Sequence, residues 1–181
     1  MTVRVNKSPV NIREKLNELD YAQVPYDKMP AGSIIQVSHG TTSTEVAVNY
    51  NTETNTGLSA TISPRFSNSK ILVLVSHDNC EKITNSSSAT RFKLYRQNSA
   101  GVQVDLGTES GLAGGFISYA MGLTNATATA RFNVNFQWFD TPNTTDSLIY
   151  YTNVNNYTAN TGIKVQAGGY PSRITLMEIT Q

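Results

Sequence analysis

Ser69-Lys70-Ile71-Leu72-Val73-Leu74-Val75-Ser76 decides how the chain is read. Five apolar residues run together, with turn formers (Pro64, Ser67, Asn68) before them and His77, Asp78 and Asn79 after them. A short apolar run bounded by turn signals reads as a β-strand covered on both faces. Eight residues is short for a helix, and Pro64 and Asn68 close off an N-terminal extension. The stretch is therefore expected to be the central strand of a β-sandwich.

The flanking sequence supports this. Val46-Ala47-Val48-Asn49-Tyr50 and Leu58-Ser59-Ala60-Thr61-Ile62 alternate apolar and polar residues, as half-buried strands do. Thr90 to Arg96 places Phe92 and Leu94 on one face and Arg91, Lys93 and Tyr95 on the other. Gln97 to Gly101 is a hairpin turn into Val102-Gln103-Val104-Asp105-Leu106. Arg131 to Trp138 is the clearest alternation, with Phe132, Val134, Phe136 and Trp138 on one face. Ser33 to His39, Phe116 to Leu123, Leu148 to Tyr151, Ile163 to Val165 and Arg173 to Ile179 complete about ten strands. The last has apolar residues on both sides and should lie inside a sheet. Residues 79–88 read as a polar loop, and 107–115 as a glycine-rich one. Turns at this regular spacing predict an all-β sandwich of jelly-roll type. No 20–50-residue period suggests a solenoid or propeller.

Residues 1–32 differ from the rest. Ser8-Pro9 and the Asn11 to Glu14 capping pattern start a helix over about residues 10–19. Ile12, Leu16 and Leu19 fall at i, i+4 and i+7 and form one narrow apolar stripe. A helix this short needs a partner surface. The stretch from Tyr21 to Gly32, with Pro25 and Pro30, is an extended linker. The chain thus divides into a helical arm (1–32) and a β-domain (33–181). The arm either wraps its own domain or docks onto another copy or another protein; attachment elsewhere is the sharper expectation.

The 181 residues carry 14 basic and 13 acidic side chains, a net charge of +1. Only 15% of residues are charged, against roughly 25% in an average domain; Thr, Asn and Ser fill the difference. No basic excess exists to condense on nucleic acid or an anionic membrane. No apolar run approaches the ~20 residues that span a bilayer, and the N-terminus lacks a signal-peptide core. Neither nucleic-acid binding nor membrane insertion is expected, and the cytosol is the expected site of synthesis.

Cys80 is the one cysteine, so an intrachain disulfide is ruled out, and it reads as a small strand-end side chain. No phosphate-binding loop, paired zinc motif or nucleophile elbow occurs. No cofactor is expected. His39, His77 and Asp78 could in principle make an acid/base pair, but two histidines and an aspartate at strand ends arise easily by chance. Asp105, Glu109 and Asp140 lack a spacing that suggests a glycosidase pair. Tyr150, Tyr151, Tyr157 and Tyr170 lie near Asn153, Asn155, Asn156 and Asn160. Aromatic faces stack on sugar rings and amides bond sugar hydroxyls, so this cluster, with Asn155, is the candidate glycan-binding surface. The glycine-rich loop is the rival location.

Five motifs, read together in order, resemble a known family. They are Pro30 to Val37, Ser69 to Ser76, Phe92-Lys93-Leu94-Tyr95-Arg96, Asp140-Thr141-Pro142 and Pro171 to Ile179. Over about residues 30–181 the chain resembles a family of bacteriophage virion proteins, abundant in marine and cyanobacterial phages, that serve as tail-fibre or other structural proteins. The resemblance implies a non-enzymatic virion component, assembled in the host cytoplasm. It carries over no catalytic residues, because the shared motifs are core strands. The expected role is a tail fibre or tail appendage, with Ile12, Leu16 and Leu19 docking to other virion proteins. Fibre domains of this kind are commonly homotrimers. A head decoration protein and a module for host surface glycans are the alternatives. No coiled-coil or repetitive shaft is present, so a fibre built from this chain is short or composite.

Overall fold

The structure is a computed structural model, and it describes residues 25–82, 88–109, 117–121, 130–156 and 162–181. The expected helix with its Ile12, Leu16 and Leu19 stripe lies outside these residues, as does Tyr157. The strands are β1 (Ile34–Thr42), β2 (Val46–Val48), β3 (Glu53–Ile62), β4 (Lys70–Lys82), β5 (Ser88–Asn98) and β6 (Gln103–Asp105). A helical turn, α1 (Leu106–Glu109), precedes β7 (Ile117–Met121), β8 (Ala130–Asp140), β9 (Leu148–Asn156), β10 (Ile163–Val165) and β11 (Ser172–Ile179).

The pairing fixes the topology. β8 runs along one side of β4 from Ile71 to Lys82. β11 and β10 share the other side end to end, at Lys70–Ser76 and at Glu81–Lys82. β1 pairs with β11, and β2 with β10. β5 repeats the arrangement: β9 takes one side, and β6 and β7 share the other. Counting each interrupted strand once leaves two four-stranded sheets. In them the first strand pairs with the last, the second with the seventh, the third with the sixth and the fourth with the fifth. A hairpin rolled up in this way is a jelly roll. The protein is an all-β sandwich, as the sequence predicts.

Inward residues alternate along each strand. Ile71, Val73 and Val75 of β4 meet Leu58, Leu94, Leu148, Ile174 and Leu176 in one core cluster. Val48, Cys80, Phe92, Val134, Val154 and Ile163 form a second. Phe136 packs against both. Phe132, Val134, Phe136 and Trp138 do share the inner face, as their alternation predicts.

Three expectations need correction. β4 is central in its sheet but is not covered on both faces: Leu72 and Leu74 point outward and are half-buried. The core lies on one side only, because each sheet meets its partner through a single face. Second, residues 79–82 are not loop; β4 continues to Lys82 across a bulge between His77 and Cys80. Asn79 takes a left-handed φ of 51° there, which Asn tolerates better than most residues, and its amide N–H is held by Asn133 Oδ1 at 2.9 Å. Third, Leu106–Glu109 is helical rather than part of a strand and loop.

The open edge beside β1 is closed by β3 of the facing sheet. The Ser38 hydroxyl donates to the Thr61 carbonyl at 2.7 Å, and Gln36 Nε2 to the Ser63 carbonyl at 3.2 Å. Gly40 makes the approach possible, since a Cβ there would stand 1.8 Å from the Ser59 carbonyl oxygen. The turn between β3 and β4 is held by the buried Glu178, whose Oε1 accepts from the backbone N–H groups of Arg65 and Phe66 and from the Ser69 hydroxyl.

Candidate functional site

The outward residues of β3, β9, β5 and β6 fall into polar rows, because register pairs them across the sheet. Ser59, Tyr151, Tyr95 and Asp105 make one row. Asn55, Asn153 and Lys93 make the next, and Glu53, Asn155 and Arg91 the third. On the other side of the tyrosine row stand Thr61, Ile149, Gln97 and Gln103. β3 and β9 slip register between Asn55 and Ser59, where Gly57 takes a φ of 75°. A shallow depression of about 360 Å³ lies over this slip, lined by Asn55, Gln97, Gln103, Ile149, Tyr151 and Asn153 among others.

A charged network holds one flank. Glu53 accepts from the Tyr95 hydroxyl at 2.6 Å and from Asn153 Nδ2 at 2.9 Å. Lys93 Nζ lies 2.9 Å from Glu53 and 3.2 Å from Asp105. Burial alone would raise the Glu53 carboxyl, but hydrogen bonds from Tyr95, Asn153 and Lys93 outweigh it and hold it below its ordinary value. Lys93 is affected oppositely: burial disfavours its charge, and Glu53, Tyr95 and Asp105 more than restore it. The Tyr95 and Tyr151 rings stack at 5.3 Å with 12° between planes. Two amide oxygens on this face, Asn153 Oδ1 and Asn155 Oδ1, are buried with no hydrogen-bond partner among the described residues. A buried acceptor left unsatisfied costs about 1–3 kcal/mol.

The structure divides the predicted glycan residues. Tyr151 and Asn155 stand on this face, although both are largely covered. Tyr150 does not: its ring is fully buried in the core, and its hydroxyl donates to Asp140 Oδ2 at 2.6 Å. Successive residues of a strand point to opposite faces, so Tyr150 and Tyr151 could never share a surface. Burial, then the Asp140 carboxylate, pushes the Tyr150 hydroxyl far above its ordinary value. Tyr170 is exposed, but it sits beside the Ala167–Gly169 turn of the other sheet, away from Tyr151. Sequence reading missed Asn55, Gln97 and Gln103 as site residues. Their outward alternation was visible, but the adjacency of β3, β9, β5 and β6 was not.

The suspected acid/base group is dispersed. His77 is buried on the inner face, with Nδ1 3.1 Å from the Ser172 hydroxyl and its ring 4.9 Å from Phe92. Burial lowers it to about 3, against a weaker opposing pull from Asp78. His39 lies on the outer face, 3.3 Å from the Thr175 hydroxyl, and Asp78 pairs outward with Arg173 at 2.7 Å. Burial, with Asp78, pushes the Cys80 thiol up to about 12, which leaves it protonated and inert. Among the described residues no group of three His, Cys, Asp or Glu side chains could hold a metal ion. No helix among them is long and apolar enough to cross a membrane.

No protein-family model matches the sequence, and no curated protein does. Among solved structures, the chain is similar to the VP2 protein of infectious bursal disease virus in derived T=1 particles. The identity is 14%, over 88% of this chain, with a TM-score of 0.43. It spans 40% of that VP2 chain. It is also similar to the CBM22-1 xylan-binding domain of Xyn10C from Paenibacillus barcinonensis, at 10% identity over 84% of this chain and 99% of that domain, with a TM-score of 0.32. Both likenesses are distant, and the assignment of the fold rests on the strand pairings.

Proposed function

We propose that this chain is a non-enzymatic domain of a phage particle, carried at the tail, that recognises carbohydrate through the outer face of the β3-β9-β5-β6 sheet. One observation carries the reading: the amide side chains of Asn55, Gln97, Gln103 and Asn153 surround a depression beside the stacked tyrosines. Sugar hydroxyls both donate and accept. The amides of Asn55, Asn153, Gln97 and Gln103 line the depression, and an amide offers both roles. Ile149, 38% exposed, supplies an apolar patch for a sugar's C–H face. The stacked tyrosines stiffen the floor rather than offer a free ring. Lys93 is shared between the two carboxylates of Glu53 and Asp105, so it offers no spare positive charge to an anionic glycan, and an uncharged one is favoured. The phage assignment rests on the sequence resemblance alone, and the homotrimer only on what is common among fibre domains of that kind. A jelly roll suits both capsid and lectin domains, so the fold does not choose between them.

Binding of the full chain to an array of bacterial surface polysaccharides, followed by calorimetry on the hits, tests the recognition role. The Gln97→Ala and Asn153→Ala variants should each weaken a hit about fivefold, the worth of one hydrogen bond of about 1 kcal/mol. An array without hits, or variants that bind like the parent, overturns it. Antibody labelling of intact particles tests the position: label at the tail supports the reading, and label over the head replaces it with the decoration role.

A further inference from the structure

The amides that line the depression come from the first and the last strand of their sheet. Gln103 stands on β6 and Asn55 on β3, the two ends of the strand order. Register gives their separation. Gln103 pairs with Gln97, and Gln97 with Ile149. Asn153 lies four residues further along β9 and pairs with Asn55. Crossing from β6 to β3 takes three gaps of about 4.8 Å, or about 14 Å, and four residues of strand add about 14 Å at right angles. The line from Gln103 to Asn55 is therefore a diagonal of roughly 20 Å. Ile149 and Tyr151 lie between its ends. Tyr151, 7% exposed and stacked on Tyr95, is floor rather than a wall across the middle.

This length exceeds one sugar. A ring of six bonds, each about 1.5 Å, is about 6 Å wide with its hydroxyl groups. A single unit touches the amides at one end of the diagonal, and about three linked units are needed to touch both. Both end amides have capacity for a ligand. Asn55 Oδ1 accepts from the Gly57 N–H at 2.7 Å, which holds the turn at the register slip and leaves the amide NH2 group to donate. Gln103 is exposed on its edge strand and offers both roles. Along this path no described strand lies beyond β3 or β6, so a longer chain can run on past either edge.

Resting on the carbohydrate reading above, we infer that this face takes an internal stretch of an extended glycan chain, about three units long and laid diagonally across the strands. A single sugar or a chain end is not its target.

Calorimetry on the full chain tests this with fragments of increasing length cut from a polysaccharide that the array identifies, and with the intact polysaccharide. Affinity should climb up to about three units and then level off. Each intact polysaccharide molecule should take up several copies of the protein, whereas a site for chain ends takes up one. Gln103→Ala and Asn55→Asp, the latter keeping the acceptor for Gly57 N–H, should each weaken a long fragment about fivefold. The double variant should weaken it about twenty-five-fold, because sites this far apart act independently. A two-unit fragment reaches one end only, so at most one of the two variants should weaken it. A single sugar that binds as tightly as the long fragment overturns the inference and leaves carbohydrate recognition standing. So does one bound copy per polysaccharide molecule, or a long fragment indifferent to either end variant. Failure of every polysaccharide to bind removes both.

Discussion

At the scale of single residues, buried polar groups divide by whether their partners are complete. Asp140 is complete: Arg96 Nη1 reaches both its oxygens at 2.7 Å, and Tyr150 donates at 2.6 Å. These three residues join β8 of one sheet to β5 and β9 of the other. Asp140→Ala would leave the Arg96 charge without its carboxylate, at a cost of about 3 kcal/mol in urea melts. The exposed Arg173–Asp78 pair has the same 2.7 Å separation, yet breaking it should cost under about 1 kcal/mol, because water screens it. His77 is incomplete, with Nε2 buried and unpartnered. It folds neutral. Its folded value of about 3 lies below the ordinary 6.5, so the folded state takes up a proton less readily than the unfolded chain. Its contribution is fully present above pH 6.5 and shrinks as pH falls toward 3. Between pH 6.5 and 5 the loss on this account steepens toward about 1.4 kcal/mol per pH unit, as the unfolded histidine goes from half to nearly fully protonated. His77→Asn should flatten that slope in melts followed against pH.

At the scale of elements, close approach and register matter more than composition. β1 and β3 meet where Gly40 has no side chain. Gly40→Ala would drive a methyl group into the Ser59 carbonyl and should cost at least about 3 kcal/mol, near the upper end of overpacking penalties. A variant melting within 1 kcal/mol of the parent, by the overpacking scale of about 1–3 kcal/mol, would show that the two strands separate freely. The bulge in β4 illustrates register. It lets the strand continue to Lys82 while returning Cys80 to the inner face, after His77. Polar residues at that point read as a loop in sequence, because His77, Asp78 and Asn79 break the apolar run. In the fold each finds a partner: Ser172, Arg173 and Asn133 respectively.

At the scale of the whole molecule, two core clusters share one aromatic side chain. Phe136→Ala should cost about 3 kcal/mol, the low end for a phenylalanine, because its ring is only partly buried. That is a large part of the 5–15 kcal/mol that stabilises a typical domain, and calorimetric melting measures it. The sequence determined the class of fold. Alternation in Phe132 to Trp138 and turn signals at regular intervals point to an all-β fold of sandwich type, and alternation is local, set by the two-residue period of a strand. It also determined which residues of β5 face inward. The tertiary structure alone decided which strands are neighbours, because pairing joins residues far apart in the chain through hydrogen bonds that any sequence can make. For that reason Tyr150 and Tyr151, adjacent in sequence, part to opposite faces, while Asn55, Gln97 and Tyr151 meet. The run from Ile71 to Val75 reads as doubly buried, because a local pattern does not say whether anything covers the second face.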